Sequence, residues 1–209
     1  GDDLPGAWIH WRYRLVENGM AVVLPRSEVG RLASLPGVAE VWPNVCYHDL
    51  ALKNSPQQIG ADKLWGATLA SSGQGVKIAI IDDGLDSSHQ YFAANGLQYP
   101  PGFPKGQTKY TTPKVIVARA FAPAGATNRY ANAPFDPDNS WHATHVAGIA
   151  AGDHDTKAEG ALISGVAPNA WLGNYKALST PTPGFGLDGN SAELTAAIEA
   201  AVADGMNVI

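Results

Sequence analysis

Val76-Lys77-Ile78-Ala79-Ile80-Ile81-Asp82-Asp83-Gly84 is the stretch that decides the fold class. Its first six residues are nearly all aliphatic, with no alternation of polar positions. Such a run is expected of a strand covered on both faces, as in a parallel sheet between helices. It stops at two carboxylates and a glycine, residues that end strands and open turns. Working downstream, Val115-Ile116-Val117-Ala118 reads as a second buried strand and residues 141–152 as an alanine-rich helix. Residues 170–178 read as a third strand, 191–204 as a helix and 206–209 as the start of a fourth strand. Strands alternating with helices predict an α/β fold, a parallel sheet with helices on both faces. The stretch 93–140 is rich in Pro, Gly, Asn and Tyr and predicts long surface loops around the Val115 strand.

Working upstream, residues 8 to 45 read as strand, helix, strand. The apolar run 20–24 ends at Pro25, Ser27 is placed to cap a helix through Leu35, Pro36-Gly37 closes that helix, and 38–42 resumes a strand pattern. Residues 46–62 read as a connector. Hydrophobic residues make up 45% of the 209 and charged residues 16%, enough apolar material for a packed core. The net charge of −5 with no basic run argues against nucleic acid as a partner. No apolar stretch is long enough to cross a bilayer, so no membrane partner is expected. Cys46 is the only cysteine, which excludes an internal disulfide and, with no His or Asn motif around it, reads as a bystander. Because the sequence stops inside a strand pattern at Asn207-Val208-Ile209, it is expected to be a fragment of a longer chain.

The chemistry starts at Asp82. Reactive groups in open parallel sheets collect at the carboxyl ends of strands, and Asp82 follows such a strand. Taken alone, Asp-Asp-Gly is equally good turn chemistry. His142 opens the helix His142-Ala143-Thr144-His145-Val146-Ala147-Gly148, while His145 lies on the helix body and reads as a structural, partly buried imidazole. A zinc site on this pair is disfavoured, since such helices place two His at i and i+4 with a Glu between. Asp82 and Asp83, adjacent on a strand, point to opposite faces and are poor partners for one metal. A phosphate-binding loop fails on order, because Gly73-Gln74-Gly75 precedes the strand it would have to follow.

An Asp at a strand end followed by a His at a helix start is the opening of an Asp-His-Ser relay, and here the sequence resembles the subtilisin-like serine proteases, the subtilases. The resemblance rests on four blocks in order: Ile80-Ile81-Asp82-Asp83-Gly84-Leu85-Asp86; His142 to Gly148; Gly165-Val166-Ala167-Pro168-Asn169-Ala170 with Tyr175-Lys176-Ala177-Leu178; and Ala197-Ile198-Glu199 running to Asp204-Gly205-Met206-Asn207-Val208-Ile209. Leu32-Ala33-Ser34-Leu35-Pro36-Gly37-Val38-Ala39-Glu40-Val41 is similar to the C-terminal half of the family's inhibitory propeptide, and Gln57 to Trp65 to the start of the mature enzyme.

The resemblance implies a subtilisin-like α/β catalytic domain, incomplete, over residues 51–209, preceded over residues 1–50 by the C-terminal part of a small α+β propeptide unit. It implies Asp82 and His142 as catalytic residues of a serine endopeptidase, with the serine and the oxyanion-hole Asn beyond the chain end, so that the fragment alone is inactive. It implies that Leu187, Asp188 and Gly189 form a substrate-binding strand. The implied partners are a protein or peptide substrate and the chain's own propeptide, cut between about Pro43 and Ser55, and the implied location is extracellular. No cofactor is expected; calcium is possible in the complete enzyme, with no ligands assigned, because Tyr91 stands where many subtilases carry a calcium-binding Asp. Two further departures are Ala143, where the family motif has Gly, and the long interval between Asp82 and His142. The competing implication is a catalytically inactive subtilase relative acting as a binding module.

Overall fold

The computed structural model describes residues 4–13, 18–43, 56–182 and 186–209. The chain divides into two compact units, Gly1–His48 and Asp49–Ile209. Cys46, the connector's polar stretch and most of the expected propeptide cut region lie outside the described residues.

In the first unit, β1 (Trp8–Tyr13) pairs antiparallel with β2 (Gly19–Val23), with an irregularity between Ile9 and Trp11. The sequence reading found β2 but not β1. A 3-10 turn (Arg26–Glu28) leads into the short helix α1 (Val29–Ala33). Ser27 is not the N-cap: the turn starts from Pro25, whose carbonyl accepts the Glu28 N–H at 2.9 Å, so a backbone group takes the expected role of the hydroxyl. The strand expected at 38–42 is not formed either. Gly37, at φ +87°, sits in a turn closed from Val38 N–H to the Leu35 carbonyl. Beyond it the segment finds no ladder partner among the described residues, and Trp42 is exposed. A strand pattern without a neighbouring strand has nowhere to place its N–H and C=O groups except solvent.

The second unit is built on a parallel sheet in the order β4-β5-β8-β3, from β3 (Lys77–Asp82), β4 (Lys105–Gly106), β5 (Val115–Ala120) and β8 (Trp171–Lys176). At the β3 edge Ile78 bridges in parallel to Val208, with Ala79 N–H donating to the Val208 carbonyl at 2.8 Å, so residues 206–209 do approach the sheet as a further strand would. The other elements are a short helix α2 (Asp62–Trp65), helices α3 (His142–Ala151) and α4 (Ser191–Asp204), and two antiparallel hairpins, β6 (Thr156–Ala158) with β7 (Ala161–Ile163), and β9 (Thr180–Thr182) with β10 (Gly186–Asp188).

Both faces of the sheet are covered, as the unbroken apolar strands require. Ile80, Val115 and Leu172 pack with Ala143, Ala147 and Ala151 of α3 on one side. Ala79, Val117 and Tyr175 pack with Ala197 and Ala201 of α4 on the other. Alanines along both helices let the backbones approach the sheet closely. A register shift between Val115 and Val117 opposite β8 marks a bulge in β5, which puts Ile116 and Val117 on the same side. The fold is therefore the expected parallel α/β sheet with helices on both faces. The β6–β7 hairpin was not anticipated: Glu159 (φ +26°) and Gly160 (φ +80°) make its turn, and Glu-Gly lacks the usual Asn-Gly signal.

Candidate active site

Asp82 is the last residue of β3 and His142 the first of α3, so the sheet's carboxyl edge brings together two residues sixty apart in sequence. His142 Nδ1 lies 2.7 Å from Asp82 Oδ2. The other carboxylate oxygen, Oδ1, accepts the Asp83 N–H at 2.6 Å. Burial pushes the Asp82 carboxyl above the usual carboxylate range, and the nearby Asp83 charge adds to this. The Asp83 N–H bond and the His142 ring pull the other way. The His142 side chain is 54% exposed against 12% for Asp82, so one end of the imidazole is tethered in the protein and the rest faces solvent.

Asp83 is the residue that the sequence reading missed. Read as turn chemistry or a poor metal partner, it is instead buried beneath the start of α3. Its Oδ2 accepts the N–H groups of Trp141 and His142, both at 3.1 Å, and its Oδ1 that of Ala143 at 2.8 Å. These are the N–H groups a helix start leaves without partners, and Trp141, the residue before α3, makes no side-chain cap of its own. A carboxylate supplied from the residue just after β3 replaces it and neutralises the positive end of the helix beside His142. A cap that comes from sixty residues away leaves no local sequence signature.

Gly84 follows at φ +110°, where a Cβ would fall 2.5 Å from the Pro134 carbonyl oxygen, so only glycine fits. The buried amide of Asn174, from β8, fixes the same turn: Oδ1 accepts the Leu85 N–H (3.2 Å) and Nδ2 donates to the Leu85 (3.2 Å) and Pro134 (3.0 Å) carbonyls. Beside it the buried Lys176 donates to the Tyr130 carbonyl at 2.7 Å, and burial lowers its pKa against the pull of Asp136 and Asp83.

The Ala143 methyl is fully buried among Ile80, Leu85 and Phe92, turned into the core where it has room. His145 is half-buried, and among the described residues its ring makes no hydrogen bond. Tyr91 lies flat against α3, where a Cβ on Gly148 would come within 2.8 Å of its ring and one on Gly152 within 2.2 Å. A buried phenol of this kind does not fit the calcium role of the Asp usual there.

The segment expected to bind substrate is partly a strand: Gly186–Asp188 pairs with Thr180–Thr182, and the Asp188 carbonyl accepts the Ser179 N–H at 2.9 Å. Leu187 is buried, Asp188 exposed, and Gly189 lies where a Cβ would meet the Ala177 carbonyl at 2.9 Å. Leu187 and Asp188 wall a cleft of about 220 Å³ with Asp82, Asp83 and His142, and Trp141 and Leu178 complete it. Gly189 is not among the lining residues.

The sequence model of the Subtilase family matches residues 73–209. The chain belongs to the subtilase family. It is 32% identical over 227 residues to "Subtilisin-like protease SBT2.1" of Arabidopsis thaliana, a match covering 95% of this chain and 26% of that protein. It is also 32% identical over 219 residues to "Minor extracellular protease Vpr" of Bacillus subtilis, covering 96% of this chain and 23% of the relative. The subtilase chain thus spans about a quarter of the length of the curated relatives it matches.

Proposed function

We propose that this subtilase is part of a serine endopeptidase in which Asp82 and His142 are two members of an Asp-His-Ser relay. The observation that carries the reading is the 2.7 Å contact between Asp82 Oδ2 and His142 Nδ1, in a cleft that leaves the imidazole 54% exposed. With its Nδ1–H donated to Asp82, the ring keeps a lone pair on Nε2. That nitrogen takes the proton of a serine hydroxyl as it attacks the peptide carbonyl and later returns it to the leaving amine. Asp82 fixes the tautomer and offsets the charge of the imidazolium as it forms.

The serine and the oxyanion-hole donor are assigned to residues beyond Ile209, residues 51–209 to the N-terminal part of the catalytic domain, and residues 1–50 to the C-terminal part of an inhibitory propeptide. An extracellular location is supported by the name of the Bacillus relative. Substrates are proteins or peptides. No metal or other cofactor takes part in the proposed steps.

The test uses the complete protein with casein as substrate. Asp82→Asn and His142→Ala should each remove most turnover in folded protein, while His145→Ala should leave kcat far less affected. Full activity in the His142→Ala variant would refute the relay.

A further inference from the structure

The chemistry of the cleft walls names a class of substrate side chain, and this step rests on the protease reading above. Of the three carboxylates on the cleft, two are already committed. Asp82 holds His142 and the Asp83 N–H, and Asp83 is buried with both oxygens occupied by the first N–H groups of α3. Asp188 is different: it is exposed, its place in β10 is held through its backbone carbonyl, and among the described residues its carboxylate has no partner. Across the cleft Trp141 is 64% exposed, although it adjoins a helix whose apolar residues otherwise face the core. Its indole stands edge-on to the His142 ring, at 90° and 5.7 Å between centroids. Its Nε1 lies 3.8 Å from where a Cβ on Gly186 would be, so the indole borders β10, where a φ of +84° favours glycine. Leu178 and the buried Leu187 add apolar wall to the same cleft.

An aromatic face, an apolar wall and one uncommitted carboxylate suit a long side chain with an aliphatic stem and a cationic head. We propose that Trp141 and Asp188 make this cleft select a lysine or arginine side chain next to the scissile bond. The stem lies along the leucines, and the head meets the indole face and the Asp188 carboxylate. An uncharged chain of the same length keeps the apolar contact and loses the other two.

The experiment compares, with the complete enzyme, fluorogenic peptides that carry lysine or its uncharged isostere norleucine at each position beside the cut. The readout is the ratio of kcat/KM values, which does not depend on the fraction of folded enzyme. At one position lysine should exceed norleucine by roughly tenfold, the sum of a partly exposed cation–π contact and an exposed ion pair. Asp188→Asn and Trp141→Ala should each bring the ratio down severalfold, and Trp141→Phe should restore part of it. A ratio near one at every position, or a lysine preference that survives both substitutions, overturns the proposal while leaving the protease reading standing. Absence of any hydrolysis abolished by His142→Ala overturns both.

Discussion

Asp83 shows how much a single buried side chain can hold. Its carboxylate takes up three N–H groups at the start of α3 and its own N–H holds Asp82. Replacing a capping side chain by Ala costs about 0.5–2 kcal/mol, and the buried position of Asp83 places Asp83→Ala toward the upper end. Asp83→Ser, which keeps one acceptor, should recover part of the loss. Urea denaturation measures both, and a loss for Asp83→Ala below about 0.5 kcal/mol would contradict the cap. Lys114 behaves in the opposite way. It is fully buried, 3.5 Å from Asp153 and bonded to the Pro168 carbonyl, and burial lowers its pKa from 10.5 to about 8 despite Asp153. Between about pH 8 and 10.5 the unfolded chain therefore holds a proton here that the folded chain does not, so this group makes stability rise with pH. Above pH 10 the buried phenols of Tyr91 and Tyr175, both raised from 10.0 chiefly by burial, act with the other sign. The rise belongs between about pH 8 and 10, and melting temperatures across that window should show it in the natural chain and a clearly smaller one in Lys114→Met, where the buried Lys176, lowered in the same direction, still contributes.

At the level of elements, α3 is the piece that carries His142, and it is held from behind as well as capped. Tyr91 packs flat on Gly148 and Gly152, leaving no space for a methyl at either position. Gly152→Ala should cost about 1–3 kcal/mol by overpacking. Combined with Tyr91→Leu, which removes the clashing ring atoms, the substitution should cost clearly less than the sum of the two single changes. Additive losses would show that the ring is not what excludes the methyl. The three long strands of the sheet, β3, β5 and β8, were legible from their apolar runs, and so were the two long helices, one of them to the residue, 191–204. What local pattern could not supply was pairing: 38–42 has the composition of a strand and no neighbour among the described residues, whereas 186–188, expected as strand only from the resemblance, is one because β9 lies beside it.

At the scale of the molecule, the first unit offers a direct test of its proposed inhibitory role. Tethering at short linker length gives an effective concentration in the millimolar range, so modest affinity suffices to keep a precursor inactive. The complete precursor should cut itself downstream of residue 40, and the isolated segment 1–50 should inhibit the active enzyme at micromolar concentration. No inhibition at that level, or a stable product beginning well upstream of residue 40, counts against the role. Residues 1–209 alone should not hydrolyse casein in an inhibitor-sensitive way, since the proposed nucleophile is not among them. The sequence by itself determined the alternation of buried strands and helices, and it placed Asp82 and His142 at a strand end and a helix start, because periodicity and motif spacing are local properties of a chain. Only the tertiary structure decided that Asp83 caps the helix of His142, that Asn174 pins the Asp82 turn, and that Trp141 and Asp188 face one cleft. Each of these depends on groups forty to ninety residues apart meeting across the sheet's edge, where the unpaired N–H groups of one element can be satisfied only by another.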